Sequence, residues 1–158
     1  MSRDSKKELI SQLIAAYRAN TSQESAFDAL AAEKLGLSPT DLRCLDLVQA
    51  SGGMTAGELA TASGLTTGAV TAVIDRLERA GFVKRLRDDA DRRKVNVEVT
   101  PRHYDEAGKV WGPLMGDWQK TLDSQFTAAE LKVITEFLEA ATKLGERHAE
   151  RIRPDRSA

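Results

Sequence analysis

Apolar residues recur at three- and four-residue intervals near the start of the chain, the spacing of one face of an α-helix. This helix is predicted to begin near Ser5 and to end at Gly36, because glycine readily adopts the left-handed conformation that closes a helix. Between them, Asn20–Ser22 offers turn and capping chemistry. The pattern fits either one long helix through Ala32 or two shorter ones. The apolar face comprises Leu9, Ile10, Leu13, Ile14 and Tyr17.

Three further helices are predicted between residues 38 and 81, each with its own start signal. The first begins at Ser38–Pro39, the second at the capping box Thr55–Glu58 and the third at Thr66. The connection Ala62–Leu65 between the last two is the short, glycine-containing turn of a helix-turn-helix. The stops are Gly52, Gly64 and Gly81.

After the last of these helices the apolar pattern changes to alternation, which predicts β-strands. Two strands, Phe82–Arg87 and Val95–Val99, flank the charged turn Asp88–Arg93. Helical spacing returns at Thr100–Pro101 and continues in a last helix that opens with the capping box Thr127–Glu130. The predicted fold class is therefore mainly α with a small β-hairpin wing, a winged helix-turn-helix flanked by helices.

Charge is unevenly distributed. The 158-residue chain carries a net charge of −1, yet Arg79–Lys94 holds seven basic against three acidic residues. One positive edge on an acidic body is typical of a protein that meets phosphate at that edge. On charge alone, a solvated hairpin with clustered bases explains the pattern equally well.

The composition narrows the other classes of function. A single cysteine, Cys44, excludes an intrachain disulfide and fits a reducing cytoplasm. With two histidines beside it, no metal site and no cofactor are expected. The polar N-terminus and short apolar runs predict neither a signal peptide nor a membrane span. Phosphate loops, nucleophile elbows and paired-histidine motifs are absent from the sequence, so no enzyme and no catalytic residues are expected.

The helix that starts at Thr66 is a candidate reader of DNA. Its small first turn permits close approach to a major groove, and its N-terminal N–H groups favour phosphate. Thr67 and Thr71 have hydroxyl and methyl groups suited to base edges, and Arg76 is placed to reach a phosphate or brace the wing. The alternative is an ordinary amphipathic helix with a threonine cap. The full set of candidate DNA-binding residues is Thr55, Thr66, Thr67, Gly68, Ala69, Thr71, Arg76, Arg92, Arg93 and Lys94.

The hairpin tip is the second candidate contact. Arg92 and Arg93 follow three acids there, and a cationic tip beside a recognition helix suits a narrow, strongly negative minor groove. Asp89 or Asp91 is placed to hold one arginine by a charge-assisted bond. The alternative is a tight turn closed by local salt bridges.

The segment Leu42–Thr100 resembles the MarR family of bacterial transcriptional regulators, and the helices at both ends resemble its architecture. The tip departs slightly from the family pattern, because Asp89 stands where a proline is common. The resemblance implies a homodimer that reads a palindromic double-stranded DNA site, with repression or activation relieved by a small molecule or by oxidation. The motifs that carry it are Thr55–Ala60, Leu65–Thr71, Asp75–Gly81 and Asp88–Arg93.

The terminal helices suit such a dimer. Their apolar stripes have no large domain of their own to pack against, and a second copy of the chain would cover them while spacing two recognition helices about one DNA turn apart. Residues 1–37 and 101–152 are therefore predicted to form a non-contiguous dimerisation scaffold. Residues 38–100 form the DNA-binding module, and residues 153–158 a frayed tail.

An effector site is indicated only weakly. The resemblance implies a pocket between winged helix and scaffold, although aromatic residues at helical spacing more often belong to a core. Cys44 suggests an oxidation sensor, but it is expected inside a helix, and buried thiols are usually inert. A further alternative is a winged helix that binds protein rather than DNA. The candidate ligand-binding residues are Tyr17, Phe27, Trp111, Met115 and Trp118.

Overall fold

The computed structural model describes residues 5–87 and 95–152, and within them the chain forms six helices and three short strands. The predicted class, mainly α with a β-hairpin wing, is confirmed. No helix in these two ranges combines the length and apolar content that a membrane span requires. The elements are α1 (Lys6–Leu35), α2 (Pro39–Ser51), β1 (Met54–Thr55), α3 (Ala56–Ser63), α4 (Thr67–Arg79), β2 (Val83–Arg87), β3 (Val95–Val99), α5 (Pro101–Gln125) and α6 (Ala128–Ile152).

The N-terminal segment is one helix of 30 residues, which settles the choice that the sequence left open. The polar residues at its middle bond along the helix instead of capping a new one. Asn20 donates its side-chain amide to Glu24 at 2.9 Å, and the Thr21 hydroxyl donates to the Tyr17 carbonyl at 3.0 Å. These bonds satisfy the polar side chains within the helix, so the chain continues without a break.

The junction between α1 and α2 is tightly built. Gly36 closes α1 in the left-handed conformation, with φ of 68°, and its N–H bonds back to the last turn. Leu37 is buried and its N–H donates to the Ala32 carbonyl at 2.8 Å. Ser38 then caps α2 in a reciprocal capping box with Asp41. Three residues therefore connect the helices, and each has a defined structural role.

The core of the winged helix lies where α2, α3 and α4 meet. Leu45, Leu59, Ile74 and Leu77 are at most 1% exposed. Truncating such a leucine to alanine typically costs about 2–5 kcal/mol, because the transfer energy is lost and a cavity remains. This packing fixes the orientation of α4 relative to the two helices before it.

A three-stranded antiparallel sheet forms the wing, with strand order β1-β3-β2. The sequence predicted β2 and β3 but not β1, whose two residues pair as Met54 with Val97 and Thr55 with Asn96. Gly53 precedes β1 with φ of 120°, and a Cβ there would lie 2.9 Å from Cγ of Glu98. Only glycine therefore fits where the chain turns into the sheet.

Internal contacts divide the chain into two compact units, Met1–Val110 and Trp111–Ala158. The first contains α1 to α4, the sheet and the start of α5, and the second contains the remainder of α5 and α6. Within the second unit no described residue of α6 is buried. The partition into a DNA-binding module and a scaffold remains a prediction, and residues 153–158 lie outside the described ranges.

Candidate nucleic-acid interface

Helix α4 presents two distinct faces. Val70, Val73, Ile74 and Leu77 are buried against the core. The opposite face is exposed over its first two turns, and the Thr66 side chain caps the helix by accepting from the Ala69 N–H at 3.3 Å. The exposed residues of these turns are Thr67, Gly68, Ala69, Thr71 and Ala72.

Gly68 has no steric role within the chain. A Cβ at this position would meet nothing within 4 Å, and its backbone is not in the left-handed conformation. Glycine is a poor helix former, and the lack of a side chain leaves the backbone of this turn open to close approach by another molecule.

The threonine hydroxyls are partly occupied within the protein. Thr71 donates its hydroxyl proton to the Thr67 carbonyl at 3.0 Å, which leaves an acceptor lone pair and a methyl group facing out. Thr55 is the N-cap of α3, where its hydroxyl donates to the Glu58 carboxylate at 2.8 Å and accepts from the Glu58 N–H. In these conformations the hydroxyl protons of Thr71 and Thr55 are already donated within the chain, so toward another molecule each hydroxyl can only accept.

Arg76, for which the sequence offered a phosphate contact or a bracing contact with the wing, pairs in the structure with a carboxylate on α2. Its Nη2 lies 2.6 Å from Oδ1 of Asp41 on α2, and its Nε contacts the same carboxylate at 3.1 and 3.2 Å. Burial raises the pKa of Asp41, but hydrogen bonds from Arg76 and Ser38 outweigh it and hold the pKa below its usual value. Arg76 therefore ties α4 to α2.

The residue that connects α4 with the wing is Arg85, which sequence reasoning missed. Its Nη2 donates to Asp75 at 2.5 Å, its Nη1 donates to Glu78, and its backbone N–H reaches Glu78 at 3.2 Å. Two acids one turn apart on a helix, followed by a base on the next strand, were the available signal. Which base pairs with these two acids depends on how β2 packs against α4, and the sequence alone does not show this.

The remaining sequence candidates are three basic residues of the hairpin, the single cysteine and the five ligand candidates. Arg92, Arg93 and Lys94 lie outside the described residues, so their role stays a prediction. Cys44 is buried at 1% exposure, as expected, and burial followed by the neighbouring Asp41 charge raises its thiol pKa. A protonated, inaccessible thiol is a poor oxidation sensor.

The five ligand candidates fall in separate units. Tyr17 and Phe27 belong to the first, and Trp111, Met115 and Trp118 belong to the second. Met115 and Trp118 are 53% and 43% exposed. The effector pocket therefore stays a prediction.

Comparison with known proteins decides the class. The MarR family profile matches residues 37–95. The chain is 37% identical to the uncharacterized HTH-type transcriptional regulator YcgE of Bacillus subtilis over 153 residues, which span 96% of this chain and 97% of YcgE. The chain belongs to the MarR family. It is thus a DNA-binding transcriptional regulator.

Several solved structures share the fold. A MarR family protein from Bacillus stearothermophilus superposes with a TM-score of 0.67 at 20% identity, covering 90% of this chain and 99% of that one. RV1404 from Mycobacterium tuberculosis gives 0.66 at 23% identity, with coverage of 92% and 97%. Wild-type MarR from E. coli in its apo form gives 0.55 at 20% identity, with coverage of 89% and 98%. At these identities the likeness concerns the fold alone.

Proposed function

We propose that this MarR-family regulator acts as a homodimer in which α4 of each protomer enters the major groove of one half of a palindromic operator. The observation that carries this proposal is the exposed, sterically open N-terminal face of α4, centred on Gly68. A helix end that displays free N–H groups and small side chains suits close contact with phosphate and base edges. The wing tip, with Arg92 and Arg93, enters the adjacent minor groove.

The dimer is supported by apolar surface on the terminal helices. On α1, Leu9, Ile10, Leu13 and Ile14 are 48–55% exposed within the single chain. On α6, Val133, Leu138 and Leu144 are 48–64% exposed, and none of its described residues is buried. Apolar stripes of this kind are typical of helices that pack against a second chain.

We further propose that the protein represses transcription from its operator in the cytoplasm, because a bound dimer covers DNA that polymerase needs. Relief of repression requires an effector that binds more tightly to a dimer with one spacing of the two α4 helices than to a dimer with another spacing. Tyr17, Phe27, Trp111, Met115 and Trp118 remain the candidate contacts for it.

The test is selection of DNA from a random duplex pool by the purified protein, followed by fluorescence anisotropy on the selected sequence. The expected result is a palindrome bound by two chains, with affinity that falls steeply as salt rises because phosphate contacts release counterions. Replacing Arg92 and Arg93 together by alanine weakens binding and reduces the salt slope. If no sequence is enriched at low salt, the proposal is wrong.

A further inference from the structure

Arg85 joins two structural parts that meet DNA in the proposed function. It lies on β2, and its side chain and backbone N–H bind Asp75 and Glu78 on α4. The Arg85 side chain is 33% exposed, and the side chains of Asp75 and Glu78 are 49% and 39% exposed. Each acid takes a different nitrogen of the fork, so one side chain holds two carboxylates in a fixed arrangement.

Arg85 lies part of the way along β2, beyond the point where the strand is buried. Val83, two residues earlier on the same face of β2, is buried and anchors the start of the strand. Arg85 pairs with Val97 of β3, after which the described part of β2 ends at Arg87. Its bonds to α4 therefore lie between the buried root of the wing and its charged tip.

The two acids would otherwise oppose DNA. They lie on α4, where a nearby phosphate backbone makes negative charge unfavourable. Arg76 is held by Asp41, and Arg79 donates its Nε to the backbone carbonyl of Asp75 at 3.2 Å. Among the described residues of α4 and β2, Arg85 hydrogen-bonds both of these carboxylates. Hydrogen bonds to Asp75 first, and then to Glu78, raise the pKa of Arg85, so its charge is permanent.

We propose that Arg85 is a positioning residue for DNA binding: it acts through Asp75 and Glu78, fixing the wing strand against α4 and offsetting their charge, without contacting DNA itself. This inference rests on the proposed use of α4 and the wing. Under this proposal, part of the affinity for the operator depends on a residue that does not contact the operator. The neighbouring Lys84 is the matched contrast, because it lies on the opposite face of β2 and its ammonium is 3.9 Å from Glu98.

The experiment measures operator affinity on the duplex selected by the wild-type protein, over a series of salt concentrations. Arg85→Gln is expected to weaken binding by about tenfold or more, with an unchanged salt slope. Lys84→Gln, which removes the same charge, is expected to change affinity less than about threefold. In a background carrying Asp75→Asn and Glu78→Gln, adding Arg85→Gln is expected to matter less than about threefold.

Three outcomes would overturn the inference. An equal loss in both backgrounds, or a salt slope reduced by about 0.9 as for one lost phosphate contact, shows that Arg85 touches DNA directly. Equal affinities of the Arg85→Gln and wild-type proteins show that the link has no function in binding. Urea unfolding is the control for loss of the fold. A variant that is merely less stable has a lower urea midpoint, but its folded fraction binds DNA with unchanged affinity. Should the wild-type protein select no duplex at all, it is the proposed function that fails.

Discussion

His103 Nε2 on α5 lies 2.5 Å from Oε1 of Gln49 on α2, which connects the first turn of α5 to the helix-turn-helix. The imidazole is only 3% exposed and meets the Phe82 ring edge-on, with ring centroids 6.4 Å apart. Burial among such neighbours disfavours the charged ring and lowers the pKa of His103.

This relationship predicts acid sensitivity of the fold. Because the folded-state pKa lies below the ordinary value of about 6.5, the unfolded state takes up the proton first as pH falls. Stability is therefore complete above pH 6.5 and declines below it, with a slope from this group of at most about 1.4 kcal/mol per pH unit. Urea unfolding between pH 7.5 and 5 measures it. His103→Gln removes this part of the slope, whereas His148→Gln on exposed α6 retains it; equal slopes for both variants contradict the prediction.

The pairing of Arg76 with Asp41 predicts a role in stability rather than in DNA contact. Arg76→Gln and Asp41→Asn are each expected to lower the urea midpoint. The double variant should fall less than the sum of the two, because both single changes break the same bonds. The salt slope of DNA binding should stay unchanged in Arg76→Gln. A slope lower by about 0.9 with a wild-type midpoint would instead make Arg76 a phosphate ligand.

Gly68 predicts a divergence between stability and binding. Gly68→Ala is expected to stabilise the fold by a few tenths to about 1 kcal/mol, since alanine is the better helix former and the Cβ meets open space. Operator affinity should nevertheless fall at least about tenfold, because the added methyl group blocks close approach. Gly108→Ala on α5, where a Cβ also meets nothing within 4 Å, serves as the control that keeps wild-type affinity. Undiminished binding by Gly68→Ala argues against contact at this turn.

The apolar face of α1 predicts a dimer that one change can dissociate. Sedimentation equilibrium should give twice the 17.3 kDa chain mass for the wild-type protein. Leu13→Glu places a charge in the interface twice by symmetry, so the dimer constant should weaken at least about a hundredfold. Gln12→Glu, at the neighbouring exposed position of the same helix, should leave the mass unchanged. A monomeric wild-type protein at micromolar concentration contradicts the proposed assembly.

Cys44 is predicted to be inert while the protein is folded. With its pKa raised by burial and by the nearby Asp41, little thiolate forms at neutral pH. Iodoacetamide should label it only at the rate of unfolding, and mild peroxide should leave operator affinity unchanged. Rapid labelling in native buffer, matched by lost binding, would restore the oxidation-sensor alternative.

The sequence predicted best those features that local chemistry determines. The capping boxes at Thr55 and Thr127 appear as expected, because each needs only two residues three positions apart, and Ser38 caps α2 where a helix start was predicted. Strand β1 was missed, since two residues carry no periodicity and pair only after β3 is in place. The break considered at Asn20–Ser22 was undecidable for a related reason: the same side chains can cap a new helix or bond back one turn.

The partners of Arg76 and Arg85 could not be predicted from local sequence patterns. Asp41 lies 35 residues from Arg76, so their contact depends on how α2 and α4 cross. The pairing of Arg76 with Asp41 is therefore a consequence of packing. The exposed face of α4 was easier to predict, because helical periodicity alone separates its buried residues from its exposed ones.

The connection between α1 and α2 has a mechanical consequence. Gly36, Leu37 and Ser38 are each fixed by backbone or capping hydrogen bonds, and Leu37 is buried as well. Such a short, fully bonded connection leaves little freedom between the two helices. We therefore expect a tilt of α1 to be transmitted to α2, and through it to the helix-turn-helix.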